Sequence, residues 1–244
     1  MSAADRPNNA SPRTGSEEAG SRRADHSLSA LLALQVMTLF LVVPLAQGTA
    51  HAQTLIDVSR LAFALICITV LTRHRLLRLL LTLSILLMTA WPILSRLLVD
   101  SHRIDVIELH DAIAIIAFLF NGAVTGMVAR HVFAAGRVTA HRVRGAVLLY
   151  LNLSSLFAIV YGALETHAPG AFGGSGFDPH VATASDAAFT YFSLTTITTT
   201  GFGDIVPLTP LARSLSNLEA LIGQLFPATL LARLVALHLV DEQR

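Results

Sequence analysis

The amino-acid sequence predicts an all-α membrane protein: six transmembrane helices, a short re-entrant helix and loop between the fifth and sixth, and a tetrameric assembly. Three observations carry this. The 244 residues are 53% hydrophobic and only 14% charged, with mean hydropathy +0.63, whereas a soluble domain carries about a quarter charged residues. Six apolar stretches each come near the ~20 residues that a bilayer-crossing helix needs. Between the last two lies Thr195-Thr196-Ile197-Thr198-Thr199-Thr200-Gly201-Phe202-Gly203-Asp204, a threonine run that breaks into alternating glycines.

Residues 1–26 are rich in Ser, Ala, Gly, Arg and acidic side chains without an apolar period, which predicts a disordered cytoplasmic tail. The six spans are Ser29–Ala46, Leu55–Thr72, Leu76–Leu98, Val106–Ala129, Gly145–Leu164 and Leu211–Val240. Residues 27–135 thus hold four helices, and 136–244 hold the last two with their connecting loop. A rival reading makes the first span a signal peptide, with Arg22-Arg23 before it and Ala50-His51-Ala52 as its cleavage site. The run from Ser29 to Ala46 is longer than the usual core of ~7–15 residues, which favours an uncleaved helix.

Arginine sets the orientation, since cytoplasmic loops collect basic residues. All 17 basic residues are arginine. The tail carries Arg6, Arg13, Arg22 and Arg23; the second junction has Arg73, Arg75 and Arg78; the fourth has Arg130, Arg137, Arg142 and Arg144. Residues 48–54 and 166–210 have none, and Arg103, flanked by Asp100 and Asp105, is the exception. Both termini therefore fall in the cytoplasm, and the threonine-glycine loop faces outward.

Several function classes drop out. A net charge of +1 offers no basic stripe to nucleic acid. Cys67 has no partner cysteine, and neither zinc spacing nor an enzymatic motif appears. Voltage sensing needs arginines at every third position of a span; the fourth span has none, and Glu108, His110 and Asp111 cluster near its outer end. Asp57 and Arg60, one turn apart, read as a local ion pair. His51, His102, His110, His167 and His180 fall on the outer side and read as solvated loop residues, with His110-Asp111 the pair to test for proton sensing.

The loop itself has a chemistry. Residues 167–186 are rich in Gly and Pro, and Ala187–Thr198 is too short to span, with Ser185 or Asp186 as its N-cap. A half-helix entering from outside aims its negative C-terminal end at the membrane centre, where it stabilises a cation. Backbone at that depth is tolerated only where it is buried or lines water. Alternating glycines permit φ > 0 and so place successive carbonyls on one side; a row of carbonyls closed by a threonine hydroxyl replaces the water shell of a monovalent cation. Glu219, in the sixth span, reads as a buried hydrogen-bonding group behind this loop.

On these residues the chain resembles the potassium-channel pore domain of outer helix, pore helix, filter and inner helix. Thr199-Thr200-Gly201-Phe202-Gly203 stands where that family has Thr-Val-Gly-Tyr-Gly. The resemblance implies K+ sites at the carbonyls of Thr199, Thr200, Gly201 and Phe202 and at the Thr199 hydroxyl. It implies filter support from Thr195, Thr196, the aromatic pair Tyr191 and Phe192, and the exit residues Asp204 and Pro207. Gly223 falls at an inner-helix hinge position, where close helix packing is the alternative, and Gln224 would face the cavity. Pro227, one turn on, favours a bend. The resemblance extends to bacterial six-span ion-channel proteins, through Gly136-Arg137-Val138-Thr139-Ala140, Leu218-Glu219-Ala220-Leu221-Ile222-Gly223-Gln224 and Leu231-Ala232-Arg233-Leu234.

One such segment cannot enclose an ion and four around an axis can, so a homotetramer in the bacterial inner membrane is expected. Lipid is the expected surrounding, with no soluble partner, no enzymatic activity and no cofactor beyond K+ as permeant ion. The expected function is passive, potassium-selective conduction. Thr200 and Phe202 leave open a weakly selective cation pore. A non-conducting sensor or scaffold is a further alternative. A secondary transporter predicts an inverted repeat with a second interrupted span, and the sequence has neither.

Overall fold

The computed structural model describes residues 28–46, 58–59, 61–63, 65–66, 82, 106–133, 140–177 and 182–242. The tail, most of the second and third spans, the Asp57–Arg60 pair, Cys67 and the loop arginines 73, 75, 78, 103 and 137 lie outside them, as does the side chain of His110.

Helix α1 covers 28–46 and contains one wider π-turn at Thr38–Val42. At its start Thr38 Oγ1 donates back to the Leu34 carbonyl at 2.8 Å. Then come α2 (Val106–Val132), α3 (Ala140–His167), α4 (Ala182–Ile197) and the long α5 (Pro210–Glu242). Among the described residues, Leu28–Leu45 and Arg142–His167 are long and apolar enough to cross a membrane, and Ala114–Arg130 and Ala187–Ile197 are shorter apolar helices. At 1.5 Å per residue, the 33 residues of α5 reach about 50 Å.

Helix α4 corrects one expectation. It begins at Ala182, so Ser185 and Asp186 lie inside it and neither is its N-cap. Alanines 182, 184, 187 and 188 carry good helix propensity and extend the helix upstream of the polar pair.

Two cores hold the described helices. In the first, Val124, Val128 and Val132 recur every fourth residue on one face of α2 and pack on Ala146, Leu148 and Leu149 of α3 and Leu28 and Leu31 of α1. Gly145 allows the close approach, because a Cβ there would sit 2.9 Å from Val132 Cγ2. Polar side chains cross the same seams: Asn152 Nδ2 donates to Thr125 Oγ1 at 2.6 Å, and Gln35 Nε2 to Ser155 Oγ at 3.2 Å. Without water, such groups must find partners inside the protein. At the opposite end of the α2–α3 pair, Asp111 pairs with His167 at 2.9 Å.

The second core is aromatic and joins α3 to α4. Tyr161 lies edge-on to Phe172 and Phe192, with ring centres 5.3 and 5.1 Å away, and Phe172 lies 5.0 Å from Phe189. Phe172 belongs to β1 (Phe172–Gly173), which pairs antiparallel with β2 (Val206–Pro207) in the register Phe172↔Pro207 and Gly173↔Val206. This small ladder ties the Gly-rich loop after α3 to the chain leaving the threonine-glycine segment. Glu165 fixes the start of that loop, accepting from the amides of Gly170 at 2.8 Å and Phe172 at 3.0 Å.

Candidate functional site

The segment between α4 and β2 has an unusual backbone. Thr199, Gly201 and Gly203 have φ of 57°, 54° and 79°, so alternate residues are left-handed. For glycine this is a free choice; for a β-branched threonine it is an outlier that the surroundings must impose.

The imposing groups are the last carbonyls of α4. The Thr195 carbonyl accepts from the amides of both Thr200 (2.8 Å) and Gly201 (3.1 Å), and the Thr196 carbonyl accepts from the Thr199 amide at 2.9 Å. Leu194 O accepts from the Thr198 amide at 3.2 Å and the Thr198 hydroxyl at 2.6 Å. Ile197 O accepts from the Tyr150 hydroxyl of α3 at 2.6 Å. Thr198 Oγ1 also lies 2.9 Å from Thr200 Oγ1. The threonine run thus closes the helix end with its own amides and hydroxyls, as unpaired terminal carbonyls require.

Two groups hold the outer end. Tyr191 donates to Asp204 Oδ2 at 2.8 Å, and its ring stacks on Phe202, 6.4 Å away and 4° from parallel. That hydrogen bond to the carboxylate is the main cause raising the Tyr191 hydroxyl above its ordinary pKa. The Asp204 carbonyl accepts from the Gly176 amide at 2.9 Å. Gly174, at φ 120°, passes so close that a Cβ there would overlap the same carbonyl.

The expected aromatic pair divides its work. Tyr191 reaches Asp204 and Phe202, whereas buried Phe192 points into the aromatic core with Tyr161 and Phe172. Thr195 and Thr196 serve through their carbonyls, and the Thr195 hydroxyl turns back to Phe192 O at 2.9 Å. Pro207 lies in β2, and its carbonyl accepts from Arg213 Nε at 3.2 Å. Gly223 packs against the end of α4, where a Cβ would overlap the Ile197 carbonyl, while Gln224 and Pro227 are exposed in the single chain. Pro227 lacks an amide, so the Gly223 carbonyl has no partner four residues on.

Glu219 is fully buried, between Tyr161 and Ser193, as its place in the sixth span suggested. Sequence reasoning missed Tyr150, Tyr161, Ser154 and Ser193. Their one signal was a set of hydroxyls inside otherwise apolar runs, which do not name their partners. Among the described residues no cluster of three or more His, Cys, Asp or Glu is placed to hold a metal ion.

Residues 147–238 match the ion-channel family model. Over 81 residues the chain is 40% identical to the inward rectifier potassium channel Kirbac3.1 of Paramagnetospirillum magnetotacticum; the match covers 32% of this chain and 23% of that protein. The chain therefore spans less than a quarter of that relative's length. No solved structure matches significantly. A helix, a half-helix, a left-handed threonine-glycine segment and a second long helix thus coincide with the residues that are similar to an ion-channel domain and to a bacterial potassium channel.

Proposed function

We propose that the protein is a homotetrameric, potassium-selective channel that passes K+ passively through a pore on the four-fold axis. The observation that carries this is the left-handed φ at Thr199, Gly201 and Gly203. Alternating handedness turns neighbouring carbonyls to a common side, the arrangement that replaces the hydration shell of K+. The ion sites are then the carbonyls of Thr199, Thr200, Gly201 and Phe202 with the Thr199 hydroxyl, closed by Gly203. The matched relative's own description as a potassium channel supports the choice of ion.

Assembly has its own support. Leu211, Leu218, Leu221 and Leu225 of α5 are about half exposed in the single chain, and Phe202 is 70% exposed. Leucines at this spacing share a helix face that needs a neighbouring subunit or lipid. The arginine distribution supports cytoplasmic termini and an outward-facing Gly203–Asp204 end of the filter. The bacterial inner membrane is the corresponding location.

The test uses purified full-length protein in liposomes. Barium-blocked K+ flux that disappears in Gly201→Ala supports the channel; tight protein that remains monomeric and passes no ion sinks it. A reversal potential near zero in mixed K+ and Na+ instead makes it a general cation pore, the reading that Thr200 and Phe202 leave open because they replace the usual apolar residue and tyrosine. Tyr191→Phe keeps the ring stack and loses only the bond to Asp204. Its K+ current is expected to run down faster than wild type in patch recordings, with unchanged tetramer stability.

A further inference from the structure

Glu219 belongs to none of the ion sites, yet it is the most deeply placed acid among the described residues, at 0% exposure. Its carboxylate, carried by α5, has partners on two other helices. Oε2 accepts from the Tyr161 hydroxyl of α3 at 2.6 Å, and Oε1 accepts from Ser193 of α4. Ser193, itself at 0% exposure, also reaches α3: its Oγ lies 2.7 Å from the Ser154 carbonyl and 2.9 Å from Ser154 Oγ, so its single proton serves either Glu219 or that carbonyl. Tyr161 in turn stacks edge-on against Phe192, the residue beside Ser193.

An acid inside a membrane protein is expensive to bury and is retained where it does something packing alone would not. A leucine of similar volume would fill this space, but it would not fix the angle or height of α5 against α4. The carboxyl does, because its two oxygens are held by donors on two different helices. Four residues on, Gly223 packs on the Ile197 carbonyl. The half-helix that carries the filter is thus fixed to α5 at two levels, through Ser193 and through Ile197.

We propose that Glu219 is a positioning residue for ion selection: it sets the height of the half-helix, and through the Thr195 and Thr196 carbonyls the spacing of the filter residues. This rests on the channel reading above. Its consequence is that changes behind the filter, out of reach of any ion, alter which ion passes.

The experiment compares wild type with Glu219→Gln, Glu219→Leu, Ser193→Ala and Tyr161→Phe, each purified as an assembled oligomer and reconstituted. The readout is the K+ over Na+ permeability ratio from mixed-salt reversal potentials. Glu219→Gln keeps the shape; its amide oxygen accepts from Tyr161 while its NH2 donates to Ser193 Oγ, whose proton then serves the Ser154 carbonyl, so it is expected to stay close to wild type. Ser193→Ala is expected to lower the ratio about tenfold, the factor for one lost buried hydrogen bond. In a Glu219→Leu background, Ser193→Ala is expected to add little. Assembled Ser193→Ala and Tyr161→Phe channels that both keep the wild-type ratio overturn the inference, even where Glu219→Leu fails to assemble. A wild type that conducts K+ selectively keeps the channel reading whatever the variants do; a wild type that passes no K+ removes both.

Discussion

Gly223→Ala is expected to destroy the folded channel domain rather than slow ion passage. The added Cβ would overlap the Ile197 carbonyl, with the carbonyl carbon and Cα immediately behind it. Both sides of this contact are backbone, so no rotamer change relieves it. Overpacking a well-fitted interior costs typically ~1–3 kcal/mol where side chains can yield, and more where they cannot. The Ile197 carbonyl is also pinned by Tyr150, whose ring lies 5.7 Å from Phe226 of α5. Pushing the helices apart therefore breaks that hydrogen bond as well. Melting followed by size-exclusion should show Gly223→Ala losing the oligomer many degrees below wild type. A variant with the wild-type melting point and K+ flux would falsify the close packing described for this glycine.

The second large effect is of a different kind. At Gly201 a Cβ meets nothing within 4 Å in the single chain, so packing within the chain is not the obstacle. The obstacle is φ 54°, a left-handed conformation that costs a residue with a side chain about 1–2 kcal/mol. In the proposed tetramer each chain bears that cost at the same ring of carbonyls, about 4–8 kcal/mol in all. The segment escapes by flattening out of its left-handed conformation, which turns its carbonyls away from the ion path. Gly201→Ala should therefore keep its melting point within a few degrees of wild type. Its K+ flux should fall at least about 100-fold, a factor that less than 3 kcal/mol already supplies. Gly203, at φ 79° with equally open surroundings, should behave the same way. Loss of the fold along with the flux, at either position, would point to a packing role that the geometry does not contain.

Much of this arrangement was legible in the sequence, for a physical reason. Hydropathy must be continuous along a membrane helix, so the limits read from composition for the first, fourth, fifth and sixth spans lie within a few residues of the helices at 28–46, Val106–Val132, Ala140–His167 and Pro210–Glu242. The threonine-glycine segment was legible because its conformation depends on residue type at each position. Long-range pairings were not. Nothing in Phe172 or Val206 announces that they share a ladder, and nothing in Tyr150 names the Ile197 carbonyl as its acceptor. His110-Asp111 was the pair to test for proton sensing; nothing in the sequence announced that the fold also brings Asp111 to His167, at the end of another helix. Glu219 was expected behind the filter because an intramembrane acid needs a partner; that the partners are Tyr161 and Ser193 is a property of how α3, α4 and α5 cross.

The capped end of α4 bears on how an ion approaches from below. Leu194, Thr195, Thr196 and Ile197 each have their carbonyl oxygen occupied by an amide or hydroxyl donor. A helix terminus closed in this way is a source of field and a poor ligand. In the proposed tetramer, converging helix ends would lower the electrostatic energy of a cation at a distance without competing for its hydration shell. An ion can then wait beneath the filter still wearing its water, and surrender it only one step later, where the filter carbonyls offer a replacement. In that assembly, attraction and dehydration of the ion would be separated in space.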